Sequence, residues 1–287
     1  MKTIHADRIR DCIRDMCMEA NYYLSEDMKD ALAYAASEEK NPLGVQILSQ
    51  LQDNLSIAGE EKIPICQDTG MAVVFLEIGQ DVHITGGLLE NAVNEGVRLG
   101  YTEGYLRKSV VSDPLIRKNT GDNTPAVIHT EFTAGDSIRI TVAPKGFGSE
   151  NMSRIFMLKP ADGEEGVKEA IINTVKEAGP NACPPVVVGV GIGGTFEKAA
   201  IMAKKALLRK IGTHSDLPHI KRMEEEVLEK VNQSGIGPAG LGGSVTALAV
   251  NINVYPTHIA GLPVAVNMCC HVNRHVTRII EGESDEL

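Results

Sequence analysis

Three cysteine-containing segments are the part of this sequence best suited to chemistry. Cys66 stands in IPICQDTG, Cys183 in NACPP, and Cys269 and Cys270 stand together in NMCCH. Each segment lies at the end of a predicted element and places its thiol beside polar residues. A single cysteine in such a place is most often a buried core residue. Three of them together favour a shared chemical role.

The spacing of these cysteines excludes the compact metal-binding motifs. No C-x-x-C pair occurs in the sequence, which argues against a zinc ribbon or a ferredoxin-type run. Ligands so far apart must converge by folding, as in enzymes whose iron–sulfur cluster is held by three thiolates and keeps one iron open for substrate. Cys12 and Cys17 do not share a face of the first predicted helix, and we expect them to be core or surface thiols.

A glycine-rich run after a predicted strand offers a different chemistry. Residues 189–194 read GVGIGG and fit the G-x-G-x-x-G pattern of dinucleotide-binding turns. That fingerprint also needs an acidic residue about 20 positions later, at the end of the next strand. Glu197 comes too early and Asp216 follows no strand, so a close strand-to-helix turn is the favoured interpretation. An NAD-dependent oxidoreductase stays the alternative from a different functional class.

Composition and charge limit the classes of function. The chain has 287 residues, of which 43% are hydrophobic and 23% charged, as in ordinary folded domains. Lys and Arg number 28 against 38 Asp and Glu, and the net charge of −10 argues against a nucleic-acid or membrane partner. An anionic substrate must then be held by a few local cations or by a metal. No apolar run approaches the roughly 20 residues of a transmembrane helix, and no signal-peptide core is present, so we expect a cytoplasmic protein.

Alternating helical and strand patterns must position these segments. The first 60 residues predict three helices, the second capped by Ser25 and the third starting at Asn41-Pro42 and burying Val45 and Leu48. Strands are predicted over 71–78, 126–132, 137–142, 186–190 and 245–254 and from 262 onward, and helices over 88–99, 164–178, 196–209 and 219–231. We therefore predict an α/β fold of mixed sheet elements and packed helices, in one domain over 1–287 with a helical N-terminal layer over 1–60.

Six blocks of the sequence resemble one enzyme family. They are IPICQDTG, YLRKSVVSDPL, KGFGSENMS, NACPPVVVGVGIGGTFEKA, GPAGLGGSVTALAV and THIAGLPVAVNMCCH, which occur in this order between residues 63 and 271. Together they are similar to the α subunit of the class I, iron–sulfur-dependent fumarate hydratases and the related tartrate dehydratases, which is equivalent to the N-terminal domain of single-chain members. The resemblance implies the α/β fold of that domain and a 4Fe-4S cluster as cofactor.

The resemblance places the three cluster ligands on Cys66, Cys183 and Cys270. Family members usually carry a single cysteine before the histidine of the last block, whereas this chain has two. Cys270 keeps the pairing with His271 and is taken as the ligand, with Cys269 as the alternative. The remaining iron of such a cluster would bind the substrate hydroxyl and the adjacent carboxylate as a Lewis acid.

The same resemblance implies residues that act on substrate near the first cysteine. Asp68 is a candidate for the base that takes a proton from carbon 3 of the substrate, or for the group that orients this base. The alternative for Asp68 is a cap of the following Thr-Gly turn. Gln67 would form a hydrogen bond with substrate, and Arg107 would hold a substrate carboxylate through its forked guanidinium.

Two further segments carry candidate residues. The run KGFGSEN lacks the spacing of a phosphate loop, and the backbone N–H groups around Gly146 and Gly148 would instead donate to a substrate carboxylate. His258 matches a family histidine at the substrate entry and is a candidate for catalysis or binding, against the alternative of a structural histidine. We expect His271 and His275 to cap backbone groups or to face solvent, and not to bind iron.

These residues together imply a hydro-lyase. The expected reaction is the reversible hydration of fumarate to malate, a step of the tricarboxylic acid cycle, with an L-tartrate dehydratase or a mesaconate-type hydratase as the alternative. A separate β subunit is expected to supply further substrate-binding residues, in a dimer of αβ units that acts on a small dicarboxylate. A cluster-bearing structural or sensory protein is a third class, and the carboxylate-binding residues beside the cysteines argue against it.

Overall fold

A computed structural model describes residues 2–284 and shows helices alternating with strands along them. The α/β fold class predicted from the sequence is confirmed. In chain order the elements are β1 (Lys2–His5), α1 (Ala6–Tyr22), α2 (Glu26–Glu38), α3 (Pro42–Glu61), β2 (Met71–Gly79), β3 (Val82–Thr85), α4 (Leu89–Glu103), β4 (Val127–Thr133), β5 (Ser137–Lys145), α5 (Phe147–Glu150), β6 (Arg154–Leu158), α6 (Gly163–Ala178), β7 (Val186–Gly193), α7 (Phe196–Ala206), α8 (Pro218–Asn232), β8 (Ala247–Tyr255), β9 (Leu262–Cys269), β10 (Val276–Glu281) and β11 (Glu283–Ser284).

The described residues form two compact units, each assembled from segments that are separate in the sequence. The first unit contains residues 2–24, 55–145 and 274–284, and the second contains residues 25–54 and 146–273. The predicted helical layer over 1–60 is therefore shared between the units: α1 belongs to the first and α2 to the second. The interpretation of 1–287 as one domain stays a prediction.

The first unit is built on a four-stranded sheet in the order β10-β5-β2-β4, in which β2 and β4 are parallel and the other pairs antiparallel. A smaller sheet has the order β11-β1-β3. Val74 and Leu76 of β2 and Ile140 of β5 are buried in a core that α1 and α4 complete. The two helices approach closely because α4 carries Gly96 where a Cβ would lie 2.5 Å from the carbonyl oxygen of Arg10.

The second unit is built on a sheet in the order β6-β9-β7-β8. The central strand β7 pairs in parallel with β8 and in antiparallel with β9. Val188 and Val190 of β7 pack in a core with Ile171 of α6 and Val227 of α8, and each of these four side chains is fully buried. Because β7 is buried and has a paired strand on each side, its sequence is a continuous apolar run.

The glycines of β7 hold α7 against the opposite side of this strand. A Cβ at Gly189 would meet the carbonyl oxygen of Ala203, and a Cβ at Gly191 would meet that of Ala199, both at separations well under the 3.0 Å that real Cβ atoms keep. Helix and strand backbones are therefore in direct contact at two alternate positions. Helix packing thus accounts for the first two glycines of the G-x-G-x-x-G pattern.

The N-terminal region departs from the prediction in two places. Lys2–His5 is a strand that pairs with β3 and β11, whereas a helical start was expected. On α3, Leu48 is buried as predicted, but Val45 is 38% exposed, so the buried face is narrower than the apolar pattern indicated. The helix does begin at Pro42. Ser25 occupies the N-cap position of α2 without a capping side-chain hydrogen bond.

The remaining predicted elements are present with shifted ends. The predicted strand over 186–190 extends to Gly193, and the predicted helix over 88–99 extends to Glu103. The strands β3, β6 and β10 were not predicted from the sequence, since each is short and mixes polar with apolar residues. Within residues 2–284, no helix combines the length and the apolar character needed to cross a membrane.

Candidate active site

The segment that carries Cys66 and Asp68 is fixed by backbone contacts in the first unit. It connects α3 to β2, and the N–H of Ile65 donates to the carbonyl of Asn21 at 2.9 Å. Oδ1 of Asp68 accepts from the N–H of Gly70 at 3.1 Å. The turn-capping role considered for Asp68 is therefore present, and it orients the carboxylate in the process. Cys66 and Asp68 are half-buried, and Gln67 is exposed.

Thr69 ties this segment to the one that carries Arg107. The buried Thr69 hydroxyl accepts from the Arg107 N–H at 2.9 Å and lies 3.3 Å from the Arg107 carbonyl. The hydroxyl of Tyr101 lies 2.8 Å from the carbonyl of Thr69 and 3.0 Å from that of Gly70. The first unit thus brings the Gln67-Asp68 pair and Arg107, whose side chain is exposed, into one neighbourhood.

One residue of this neighbourhood was missed from the sequence. Arg274 is 4% exposed, and its Nη2 donates to the carbonyl oxygen of Asp68. The sequence shows only a terminal segment with basic residues, where a solvated charge is the usual expectation. The burial of Arg274 results from tertiary packing and cannot be predicted from the local sequence.

Cys183 is presented by a tight turn at the start of β7 in the second unit. The chain makes a short 3₁₀ turn over Gly179–Ala182, and Cys183 then adopts left-handed backbone angles with φ 53° and ψ 65°. Its N–H donates to the carbonyl of Pro180 at 3.0 Å, and the residue is exposed. A left-handed non-glycine residue is uncommon and is often found at functional sites.

Hydrogen bonds join this turn to the segment of Cys270. The carbonyl of Cys183 lies 3.0 Å from Nδ1 of His271, and it also accepts from the His271 N–H at 3.4 Å. The pairing of β9 with β7 explains this proximity, since Cys269 is in register with Val187 near the start of β7. The second unit therefore brings the segments of two predicted ligands, Cys183 and Cys270, together.

The structure also distinguishes the two neighbouring cysteines. Cys269 ends β9 and is 5% exposed, whereas Cys270 lies beyond the strand and is half-buried. Because successive residues of an extended chain point in opposite directions, only one of the two can point away from the core. The choice of Cys270 over Cys269 as the ligand stays a prediction.

The other two cysteines behave as the sequence predicted. Cys17 is fully buried on α1, and burial raises the pKa of its thiol to about 12. Cys12 is half-buried, and burial likewise raises the pKa of its thiol. Both therefore stay protonated and uncharged at neutral pH, which suits core thiols and not metal ligands.

Gly146 and Gly148 lie beside the turn of Cys183. Gly146 occupies the N-cap position of α5, and a Cβ added at Gly148 would be 3.8 Å from the carbonyl of Asn181. The structure thus brings the predicted carboxylate-binding backbone close to the 3₁₀ turn in the same unit. Its role in substrate binding stays a prediction.

His258 lies away from the cysteines of its unit. It follows β8, which runs parallel to β7 and pairs Tyr255 with Gly193, the last residue of β7. Cys183 precedes the first residue of β7, so the length of an eight-residue strand, about 26 Å at the usual rise, separates the two ends. His258 is exposed, and its Nδ1 accepts from the N–H of Ala260 at 3.2 Å. The structure does not bring His258 together with Cys183 or Cys270.

The donor chemistry suits the predicted cofactor, although no compact metal site is preformed. Thiolates are the usual ligands of iron–sulfur clusters. Cys66, Cys183 and Cys270 form no disulfide, and each is half-buried or exposed. In the part of the chain that the structure describes, no group of three or more His, Cys, Asp or Glu side chains lies close enough to hold a metal ion.

The fold and these segments define the class of protein. Residues 10–279 match the sequence model of the family described as "Fumarate hydratase (Fumerase)". The chain belongs to this family, whose members are hydro-lyases. It is 42% identical over 280 residues to a Methanocaldococcus jannaschii protein named "Putative L(+)-tartrate dehydratase subunit alpha", covering 96% of this chain and 98% of that protein. It is also 31% identical over 263 residues to the L(+)-tartrate dehydratase subunit alpha of Escherichia coli K12, covering 91% of this chain and 86% of that protein.

Proposed function

We propose that this chain is the α subunit of a two-subunit iron–sulfur hydro-lyase, which adds or removes water at the double bond of a small dicarboxylate. The observation that carries the proposal is the pair of hydrogen bonds between His271 and the Cys183 carbonyl, because they hold the Cys270 segment beside Cys183. Membership of the fumarate hydratase family supports the reaction class. The names of the relatives, as α subunits, support a separate β subunit.

We assign Cys66, Cys183 and Cys270 as the ligands of a 4Fe-4S cluster. When bound, the cluster supplies an open iron that acts as a Lewis acid toward the substrate hydroxyl and carboxylate. Every other step is assigned to side chains and backbone groups of the protein. Burial argues against Cys17 and Cys269, whereas Cys66 and Cys270 are half-buried and Cys183 is exposed; the half-buried Cys12 is set aside because it lies outside the six blocks.

Asp68 is the residue we assign to proton transfer at carbon 3 of the substrate. The N–H of Gly70 donates to Oδ1, so the carboxylate that would take the proton has a defined orientation. Arg107 is assigned to a substrate carboxylate, since Thr69 fixes its backbone while the guanidinium is exposed. Gln67 is assigned to a hydrogen bond with the substrate.

The reaction we assign first is the reversible hydration of fumarate to malate. Dehydration of L-tartrate is the second candidate, and the names of the two relatives favour it. A mesaconate-type substrate differs from fumarate by one methyl group, which a pocket discriminates by only about 1–3 kcal/mol. Cytoplasmic location, a role in the tricarboxylic acid cycle and a dimer of αβ units belong to the same proposal.

The test is anaerobic co-expression of the chain with a candidate β subunit, followed by iron and sulfide analysis and an assay with malate, tartrate and methylated analogues. We expect about four irons per α chain and turnover only in the mixture. Cys183→Ser should remove the cluster absorbance, while the matched control Cys12→Ser keeps it. An iron-free protein that binds a nicotinamide nucleotide would instead support the oxidoreductase alternative.

A second variant separates the cluster from the acid–base chemistry. Asp68→Asn keeps an oxygen that can accept from the Gly70 N–H, so the turn should survive. We expect normal iron content and a kcat lower by a factor of about 100 to 10,000, the range for loss of a general base. Unchanged turnover would remove Asp68 from the mechanism.

A further inference from the structure

Arg274 is a buried arginine whose hydrogen-bond donors are only partly used. The residue is 4% exposed, and Nη2 of its guanidinium donates to the carbonyl oxygen of Asp68. Nε and Nη1 are buried and have no hydrogen-bond partner.

Three other strongly buried charges among residues 2–284 are compensated. Glu224, 1% exposed, is bonded to Arg209 at 2.6 Å and to two backbone N–H groups. Lys168 meets the carboxylates of three glutamates at 2.6 to 3.1 Å. Glu39 accepts from four backbone N–H groups. Arg274 differs from these three residues, because two of its buried nitrogens have no hydrogen-bond partner.

An uncompensated guanidinium in the interior needs an anion. Arginine stays protonated in proteins, so it cannot lose its charge as a buried lysine can. Burial without acceptors costs several kcal/mol, and the cost is recovered when a bound anion accepts from the unused N–H groups. The guanidinium contacts the segment that carries Cys66, Gln67 and Asp68, so the anion is expected there.

We propose that Arg274 is an anion-binding residue of the active site, with Nε and Nη1 donating to an anion brought by cofactor or substrate. This inference rests on the proposed function, which supplies both sources of anion. One source is the negative charge of sulfide and thiolate groups in a cluster ligated by Cys66, and the other is a carboxylate of the dicarboxylate substrate. Both present the acceptor atoms that the two nitrogens lack.

The experiment compares Arg274→Met and Arg274→Lys with the control Arg278→Met in the anaerobic αβ complex. Arg278 pairs with Glu19 at the surface, and its side chain is 40% exposed, so its removal tests the loss of a nearby arginine in general. If the anion belongs to the cluster, Arg274→Met loses iron and sulfide severalfold faster than wild type. If it belongs to the substrate, iron content stays normal and KM rises about tenfold to a hundredfold with little change in kcat.

A third measurement does not depend on turnover. Succinate, an unreactive dicarboxylate, should raise the Tm of the iron-free wild-type chain in a concentration-dependent way, and Arg274→Met should abolish this rise. The succinate measurement also separates the two proposals. If the wild-type complex contains no iron and shows no turnover, the proposed function is refuted. If Arg274→Met still loses the succinate effect, the anion site at Arg274 is supported all the same.

The inference is overturned if Arg274→Met has wild-type iron retention, KM and succinate response. Should this variant fail to fold, Arg274→Lys decides instead, because lysine keeps the charge but lacks the forked donors. Anion binding would be supported if Arg274→Lys loses iron about ten times faster than wild type, has a KM about ten times higher, or needs about ten times more succinate for the same rise in Tm. Wild-type values of all three would refute it.

Discussion

The carboxylate of Glu39 gives the most quantitative prediction of the structure. It is 6% exposed and lies after α2, where it accepts hydrogen bonds from two separate stretches of backbone. Its Oε1 accepts from the N–H groups of Lys40 and Asn41, both at 2.8 Å, and of Ser244 at 2.9 Å, and its Oε2 accepts from the N–H of Val245 at 2.8 Å. One charged group thus fixes the chain just before β8.

Glu39→Gln should lower the free energy of local opening of residues 237–246 by about 3 kcal/mol. The glutamine amide keeps one acceptor oxygen but turns its NH₂ group toward backbone donors, which leaves one or two buried N–H groups without acceptors, at about 1–3 kcal/mol each. Since 1.4 kcal/mol is a factor of ten, amide exchange over residues 237–246 should accelerate about a hundredfold. The matched control is Glu38→Gln, because the neighbouring Glu38 is exposed.

The pH dependence provides a second check on the same residue. Burial alone would raise the pKa of Glu39, but the N–H groups of Asn41, Ser244 and Val245 outweigh it, and the pKa lies below its ordinary value. The carboxylate therefore contributes stability above the unfolded pKa of about 4.3 and loses it as pH falls through the lower folded pKa. Hydrogen exchange by mass spectrometry should show a large difference between wild type and Glu39→Gln at pH 7 that narrows below about pH 4. Equal protection of residues 237–246 in both proteins at pH 7 would refute the reasoning.

Two further predictions concern a ligand and a buried charge. Cys270→Ser should lose the iron–sulfur absorbance of anaerobically purified protein while Cys269→Ser keeps it, and the reverse pattern would move the ligand by one residue. Lys168→Met should lower the free energy of unfolding by about 1 kcal/mol in urea titration, because it removes the ammonium that bonds to Glu164 and Glu226, whose side chains are 40% exposed and stay hydrated. A change below about 0.5 kcal/mol would place this network among surface ion pairs of little energetic value.

The sequence was most informative where one pattern persisted over many residues. The helix from Pro218 and the strand β2 were predicted within a few residues, because a long apolar face or run requires burial. Short elements such as Lys2–His5 carry no such pattern, and their strand character comes from partners elsewhere in the chain. Val45 shows the same dependence, since its exposure is set by what packs on α3 and not by its own spacing.

The candidate site was predictable in part for a similar reason. The blocks around Cys66 and Cys183 are long enough to identify a family, and the structure then shows how backbone hydrogen bonds fix each of them. Arg274 was not identifiable, because its burial and its contact with Asp68 arise only from tertiary structure. The position of His258 at the far end of β7 likewise follows from strand direction, which the sequence does not state.

The contact between β7 and α7 changes how a mutational scan of this protein has to be interpreted. An added methyl group at Gly189 or Gly191 has no space, because the helix backbone at Ala203 and Ala199 already occupies it. The smallest substitution would push α7 outward and open its packing against Ala265 of the sheet. Inactive variants at the two glycines would therefore report loss of folded protein, and reading them as evidence for a lost nucleotide site would be a mistake unless folding had been measured first.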